Sequence, residues 1–300
     1  HWHQNDPGVV PNLKVTGAGS PTGILMYEGD FLPGKYHNTL FLADAGTNEV
    51  FSYGIKNIGA GYETEPNLIL DAKAKDMWFR PSDLCTAPDG SVLVADWYDT
   101  GVGGHFVGDL ERGRIYRISP KNAAYIIPKY DFSELSDAIK ALKNPNNSVR
   151  YLAFQALRKL GKAAESELVS LSKCENPVFR ARAFWLLKEI DGNYIEIASK
   201  DSDDRVRSAS VRMIESKNLG SFLLKMSKDA SPLVKEAVAG KIYLKNMPEV
   251  WVNLANSYQP GDRWFLEAIG NAADQNWNTY LSKYLSGKDF LNNAAARDIV

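Results

Sequence analysis

The sequence predicts a chain in two parts, a partial antiparallel β-propeller of about two blades followed by an α-solenoid. Two observations carry that prediction. Between residues 24 and 118 the chain is a series of short β-rich runs parted by turn residues, with no helical period longer than a turn. In the second half five basic residues, Arg150, Arg180, Arg207, Lys235 and Arg263, recur at spacings of 30, 27, 28 and 28. A fixed period of about 30 means repeated helical hairpins that stack to bury their apolar faces. The expected domains are residues 1–122 and 130–300.

In chain order, strands are expected at 24–28, 39–43, 49–54, 67–71, 83–87, 91–96 and 114–118. Gly46-Thr47-Asn48 and Pro88-Asp89-Gly90 supply tight turns between them. Strand–turn–strand units returning every ~40 residues fit propeller blades, each a four-stranded antiparallel sheet. A closed propeller has at least about four blades, so the chain is expected to begin inside a larger propeller.

Five first helices are expected at 133–144, 163–174, 194–200, 219–228 and 248–257. Each is stopped by a polar turn such as Asn144-Pro145-Asn146-Asn147 or Asp201-Ser202-Asp203-Asp204, which also caps the second helix. In those second helices Ala153, Ala183, Ser210, Val238 and Leu266 lie one turn in, with Leu157, Leu187, Ile214 and Ile242 a turn further, predicting a buried seam. Residues 276–287 and 290–300 start a sixth repeat, giving about five and a half. The pattern over 130–300 resembles the short form of HEAT repeat. The basic ladder has two readings, bonds to turns within and between repeats or a surface for an acidic protein partner.

Composition narrows the function classes. Apolar residues at 44 % and charged ones at 24 % are ordinary for a globular chain, and a net charge of −1 predicts no strong attraction to nucleic acid. No apolar run approaches the ~20 residues of a membrane span. Cys85 and Cys174 have neither metal-site spacing nor a disulfide pattern, and are expected as free, mostly buried thiols. Nucleophile elbows, phosphate loops, dinucleotide fingerprints, zinc spacings and haem-attachment motifs are absent.

Chemistry-bearing residues concentrate in one stretch. It runs Trp78-Phe79-Arg80-Pro81-Ser82-Asp83, Ala87-Pro88-Asp89-Gly90, Ala95-Asp96-Trp97-Tyr98-Asp99, Gly103-Gly104-His105 and Glu111-Arg112-Gly113-Arg114. Arg80 follows two aromatics and precedes a proline, which places it at the rim where a strand enters the propeller's central channel. It is read either as a cofactor or substrate contact or as the partner of Asp83 or Asp96. His105 follows a glycine-rich loop that lets backbone approach a ligand. Asp96, Asp99 and Asp109 lie near it in sequence, a carboxylate set able to hold Ca²⁺. The alternative is an ordinary solvated loop. His1 and His3 belong to an N-terminal arm, and His37 precedes a strand and is expected to be exposed.

With Ser20-Pro21-Thr22-Gly23 and Tyr27-Glu28-Gly29-Asp30, this text resembles the last blades of quinoprotein glucose/sorbosone dehydrogenase-like propellers. It resembles more closely a group of large bacterial proteins described as membrane-bound dehydrogenases. In that group a propeller is followed by HEAT repeats and then a cytochrome c domain. The resemblance covers essentially the whole chain. It implies an extracytoplasmic, periplasmic protein that oxidises a sugar or polyol using pyrroloquinoline quinone and calcium, with haem only in a domain beyond Val300. It implies cofactor or substrate contacts at Arg80 and His105. In that family two arginines precede the Pro-Asp-Gly turn; Arg80 matches one, and Trp78 stands at the other. A lysine of the family is replaced by Gly46-Thr47-Asn48, and its catalytic histidine belongs to an earlier blade. The rival expectation is a non-enzymatic carbohydrate- or protein-binding scaffold.

Overall fold

The computed structural model describes residues 6, 9–16, 19–102, 111–215, 219–286 and 292–300. Strands β1 (Pro21–Tyr27), β2 (Thr39–Asp44), β3 (Glu49–Ile58) and β4 (Gly61–Asp71) form a first sheet in that order. Strands β5 (Pro81–Thr86), β6 (Val92–Asp96) and β7 (Arg114–Ile118) form a second. The pairs β1–β2, β2–β3, β5–β6 and β6–β7 are antiparallel. Among the described residues the strands make these two open sheets and no closed barrel.

Two departures from the expected strands have physical causes. The fourth strand begins at Gly61 rather than near residue 67, because Pro66 lies in an edge strand, where its missing N–H breaks no ladder. The second sheet has three strands and not four. After Ile118 the chain turns at Pro120, with Asn122 at φ 64° and the Ala123 N–H donating to the Pro120 carbonyl, and then runs without further strand to the first helix.

The two sheets share one core. Tyr27, Phe41, Ala43 and Val50 of the first meet Leu84, Val92 and Val94 of the second, with Leu32 and Phe79 filling between them. Burying side chains of this size contributes roughly 1.5–3 kcal/mol each. Strands β1 and β5 approach closely at Gly23, where a Cβ would lie 2.5 Å from the Asp83 Cα. The Tyr27 hydroxyl donates to the Gly90 carbonyl at 2.7 Å, tying β1 to the Pro88-Asp89-Gly90 turn.

Helices α1 (Leu135–Leu142) and α2 (Asn147–Leu160) belong with the sheets, in a compact unit of residues 14–56 and 63–160. Asn144 and Asn146 stop α1 and lead into α2, and their amides donate to the carbonyls of Pro88 and Thr86. Arg150 pairs with Glu28 at 3.0 Å.

The other compact unit takes residues 1–13, 57–62 and 161–300. Its helices run α3 (Glu165–Leu171), α4 (Pro177–Ile190), α5 (Asn193–Ala198), α6 (Asp204–Met213), α7 (Leu219–Met226), α8 (Pro232–Ile242), α9 (Pro248–Ser257) and α10 (Arg263–Ala272), the first of each pair the shorter until α9 and α10, which are equal in length. Helices α11 (Trp277–Leu285) and α12 (Ala294–Ile299) follow. Helices α4, α6, α8 and α10 pack in series, each also against the helix before it. Asn176, Asp203 and Asp262 cap α4, α6 and α10 with side-chain acceptors, and Pro177 and Pro232 open α4 and α8.

Arg180 and Arg207 each make a two-armed bond to a carboxylate one repeat on, Asp201 and Asp229. The remaining arm of each reaches two carbonyls of its own turn, and Arg150 does the same with Asn144 and Pro145. Lys235 departs from this pattern: among the described residues its ammonium makes no hydrogen bond, and the position equivalent to Asp229 in the next repeat, three residues before α10, is Pro260, not an acid. Lys235→Ala is therefore expected to leave stability within about 0.5 kcal/mol in urea unfolding.

The fifth member is out of register. Arg150, Arg180, Arg207 and Lys235 are each the fourth residue of their helix, whereas Arg263 is the first of α10. The true equivalent is Leu266, and the seam of α10 accordingly runs through Ile269 and Ala273 in place of Leu266. Arg263 instead pairs with Glu267 and donates to the Asp6 carbonyl. Beside it, Asp262 accepts the Ala60 N–H at 2.9 Å, and Trp264 meets Tyr62 edge-on.

Candidate functional site: a pocket where two matched strand entrances meet

The two sheets enter their first strands in the same way, by Ser20-Pro21-Thr22 and Arg80-Pro81-Ser82. Pro21 pairs with Asp44 and Pro81 with Asp96, each followed by a register shift. Several hydrogen bonds then match, although Asp44 Oδ1 also accepts the Thr47 N–H at 3.2 Å, a bond without a counterpart at Asp99, whose N–H donates to the Trp78 carbonyl. Asp44 Oδ1 accepts the Ser20 N–H at 2.7 Å, and Asp96 Oδ1 accepts the Arg80 N–H at 2.8 Å. The same oxygens accept the N–H two residues on, from Gly46 at 3.0 Å and Tyr98 at 2.9 Å. Ala45 N–H donates to the Ser20 carbonyl, as Trp97 N–H does to that of Arg80. Thr22 Oγ1 and Ser82 Oγ each lie 3.3 Å from the carbonyl they donate to, Ala43 and Ala95. The sheets are thus structural repeats of one another.

A pocket of about 350 Å³ opens where these equivalent positions meet. Ser20, Thr22 and Ala45 line it from the first sheet, Arg80, Ser82 and Trp97 from the second, with Gly101 and Val102 on the loop beyond. Thr22 Oγ1 also donates to the Pro81 carbonyl at 2.7 Å, bridging the two entrances. Trp97 presents an indole that is 64 % exposed.

Arg80 is 8 % exposed and its guanidinium is held by three main-chain carbonyls: Nε donates to Asp99, one terminal nitrogen to Ala45 and the other to Thr100, at 3.0, 3.0 and 3.1 Å. Its backbone, and not its side chain, meets the Asp96 carboxylate. Arg114 donates to the second oxygen of Asp96 and to Asp76. Burial works against the Arg114 charge, but the hydrogen bonds it donates to Asp76 and Asp96 outweigh it and hold the guanidinium above its ordinary value. Arg114 also lies 4.1 Å from the Tyr98 ring centroid. Asp99 is 2 % exposed, and its Oδ2, like Oδ2 of Asp44, has no donor among the described residues.

Arg80, Asp96 and Asp99 are therefore gathered at one place. His105 and Asp109, like His1 and His3, lie outside the described residues. Among the described residues no group of three or more His, Cys, Asp or Glu side chains could hold a metal ion. His37 is half-buried rather than exposed, its Nε2 2.6 Å from the Leu32 carbonyl. Cys85 is exposed and not buried, because strand alternation turns it to the face opposite Leu84, and Cys174 is half-buried.

The described residues do not fit pyrroloquinoline quinone. A tricarboxylate needs several cations with free donors, yet among the described residues Arg80 is the one cation that lines the pocket, and its fork is turned to carbonyls. The buried, donor-free oxygens of Asp44 and Asp99 add negative potential beside it. What remains suits an uncharged, donor-rich ligand: Ser and Thr hydroxyls with lone pairs left over, and an indole face.

Ser20, Thr22, Ser82 and Trp97 lie within the stretches quoted from the sequence, but no site role was assigned to them there. Their signal was present as two unaligned repeats, X-Pro-Thr/Ser at residues 20–22 and 80–82, and Phe41-Leu42-Ala43-Asp44 beside Leu93-Val94-Ala95-Asp96. Among the described residues no helix is long and apolar enough to cross a membrane. No curated protein matches the chain. Over residues 3–122, which hold all seven strands, the chain is similar to a family described as a domain of unknown function, DUF7133.

Proposed function

We propose that the sheets are adjacent blades of a sugar- or polyol-dehydrogenase-like β-propeller, that the helices are a HEAT-like solenoid serving as scaffold or protein-partner surface, and that these residues bind a hydroxylated ligand without transforming it. The matched hydrogen bonds of the two sheets carry this reading, because they make the pocket a junction between two repeated units. The shared register of α2, α4, α6 and α8 supports the solenoid part. In this reading Thr22 and Ser82 accept from ligand hydroxyls while donating to the main chain, and Trp97 packs on the ligand's C–H face. An extracytoplasmic location belongs to the same reading.

Titration of the chain with glucose, sorbitol and pyrroloquinoline quinone, followed by tryptophan fluorescence and calorimetry, tests it. Saturable binding of a polyol, lost in Trp97→Ala, is expected, together with no binding of the quinone and no sugar-dependent dye reduction when quinone and Ca²⁺ are added. Tight quinone binding, or dye reduction, would return catalysis to these residues; absence of any polyol binding would end the pocket reading.

A further inference from the structure

The turn between α8 and α9 holds a residue that its backbone does not favour. Lys245 N–H donates to the Ile242 carbonyl at 2.8 Å, Tyr243 has φ −49° and ψ 131°, and Leu244 has φ 58°. This is the form of a type II turn, whose third position favours glycine or asparagine because an L side chain there crowds its own backbone. Just after α2 the chain does use glycine in the left-handed region, Gly161 at φ 53°. After α8 it strains a leucine instead.

That leucine gains little burial in return. It is 53 % exposed, and Tyr243 before it is 46 % exposed. The turn itself is firmly held. Tyr280 is fully buried and stacks on Trp251 with ring centroids 5.2 Å apart. Its hydroxyl donates to the Lys245 carbonyl at 2.6 Å and accepts the Met247 N–H at 2.9 Å. The apolar pair therefore stands on fixed backbone, which lowers the ordering cost of binding a partner.

The surroundings are basic. Lys241 and Lys245 flank the pair in sequence, and Lys188, near the end of α4, is close enough for its charge to act on Lys241. Burial, together with Lys245 and Lys188, pushes the Lys241 ammonium below its ordinary value against the opposing pull of Glu215. Lys241 also donates to the Arg212 carbonyl at 3.1 Å. Cations in a last turn offset the helix dipole. That accounts for Lys188 and Lys241, but not for Lys245 or for the strained leucine between them.

We propose that Tyr243 and Leu244 are the docking point for an acidic partner protein, an apolar side chain of which seats on the pair while its carboxylates meet Lys188, Lys241 and Lys245. The charge of the surroundings selects the occupant, because two lysines and one acid act on Lys241. The proposal rests on the reading of the helices as a partner surface and gives that surface a place and a chemistry.

The test is fluorescence anisotropy of the full chain with a short labelled helical peptide carrying leucines on one face and glutamates beside them. A copy with lysine for glutamate is the control. The wild type is expected to bind the acidic peptide saturably, more weakly as salt is raised, and not the basic copy. Leu244→Gly and Leu244→Asn suit the turn, so each should keep or raise the thermal midpoint while weakening the peptide about tenfold. Lys245→Glu, at an exposed position, should weaken it as much. A lowered midpoint in both Leu244 variants means that the leucine serves the fold, and overturns the proposal. Peptide binding that all three variants leave intact also overturns it, and keeps the partner surface elsewhere on the helices. No binding by the wild type overturns it as well, and the partner-surface reading is then decided by whether Arg207→Ala weakens binding to an acidic protein.

Discussion

Arg207→Ala is expected to lower stability by about 2–3 kcal/mol near neutral pH. The side chains of Arg207 and Asp229 are 18 % and 12 % exposed and share two hydrogen bonds. Removing the guanidinium strands a mostly buried carboxylate and frees the carbonyls of Asp201 and Ser202. Breaking a fully buried pair costs about 3–5 kcal/mol, and the residual exposure here reduces that. The loss should depend on pH. Burial pushes the Asp229 carboxyl up, but the hydrogen bonds from Arg207 and Ser231 and the Arg207 charge outweigh it and hold the group below its ordinary value. A carboxyl lowered in the folded state stabilises above its unfolded pKa, and that contribution is lost as pH falls through the lower folded value. Urea unfolding at about pH 7 and about pH 2.5 should therefore show the gap between wild type and Arg207→Ala shrinking in acid. An unchanged stability at neutral pH, with weakened binding to an acidic protein, would recast the ladder as a partner surface.

The helical half was legible because its period is enforced locally. The fourth position of a long helix faces the preceding turn whichever repeat it occupies, so Arg150, Arg180 and Arg207 could be recognised from spacing alone. Arg263 shows where spacing misleads: a basic residue at the right interval but at the first position of α10 imitates the ladder, while Leu266 holds the true place. Only the location of the cap, Asp262, distinguishes them, and a four-residue window around Arg263 does contain it.

The sheets were legible as strands but less so as a site. Alternation located β2, β5 and β6 to within a residue or two, since one face of each is buried, and the β-branched and aromatic run of β7 located that strand. Pro66 hid the start of β4 because edge strands tolerate a residue that interior strands reject. The pocket was out of reach for another reason. Its walls come from positions about 60 residues apart that become neighbours only when β5 packs on β1, and the repeat that shows their equivalence, Asp44 with Thr22 and Asp96 with Ser82, is legible only once the two segments are aligned on each other. Arg80 was correctly located at a strand entrance, but its three acceptors are main-chain carbonyls, invisible in a reading that searched for carboxylates.

Arg80→Ala is expected to cost about 3 kcal/mol and to loosen the loop that forms one wall of the pocket. The guanidinium gathers the carbonyls of Ala45, Asp99 and Thr100, one from the end of β2 and two from the loop after β6. A hydrogen bond to a charged group is worth about 1.5–3 kcal/mol, and three bonds from one fork add less than their sum. Without the fork these carbonyls must find water in a site where Arg80 itself is nearly buried. Arg80→Lys should recover only part of the loss, because an ammonium cannot reproduce a planar fork with donors at fixed angles. Hydrogen exchange at Thr100, Gly101 and Val102 provides the local readout: both variants should exchange faster there, Arg80→Ala most, while Leu93 and Val94 in β6 stay protected. Polyol affinity should fall in step with that loosening, since Arg80 shapes the wall without being spent on the ligand. If Arg80→Ala keeps its stability within about 0.5 kcal/mol and its loop protection but loses polyol binding, the guanidinium contacts the ligand directly and the carbonyl bonds are incidental.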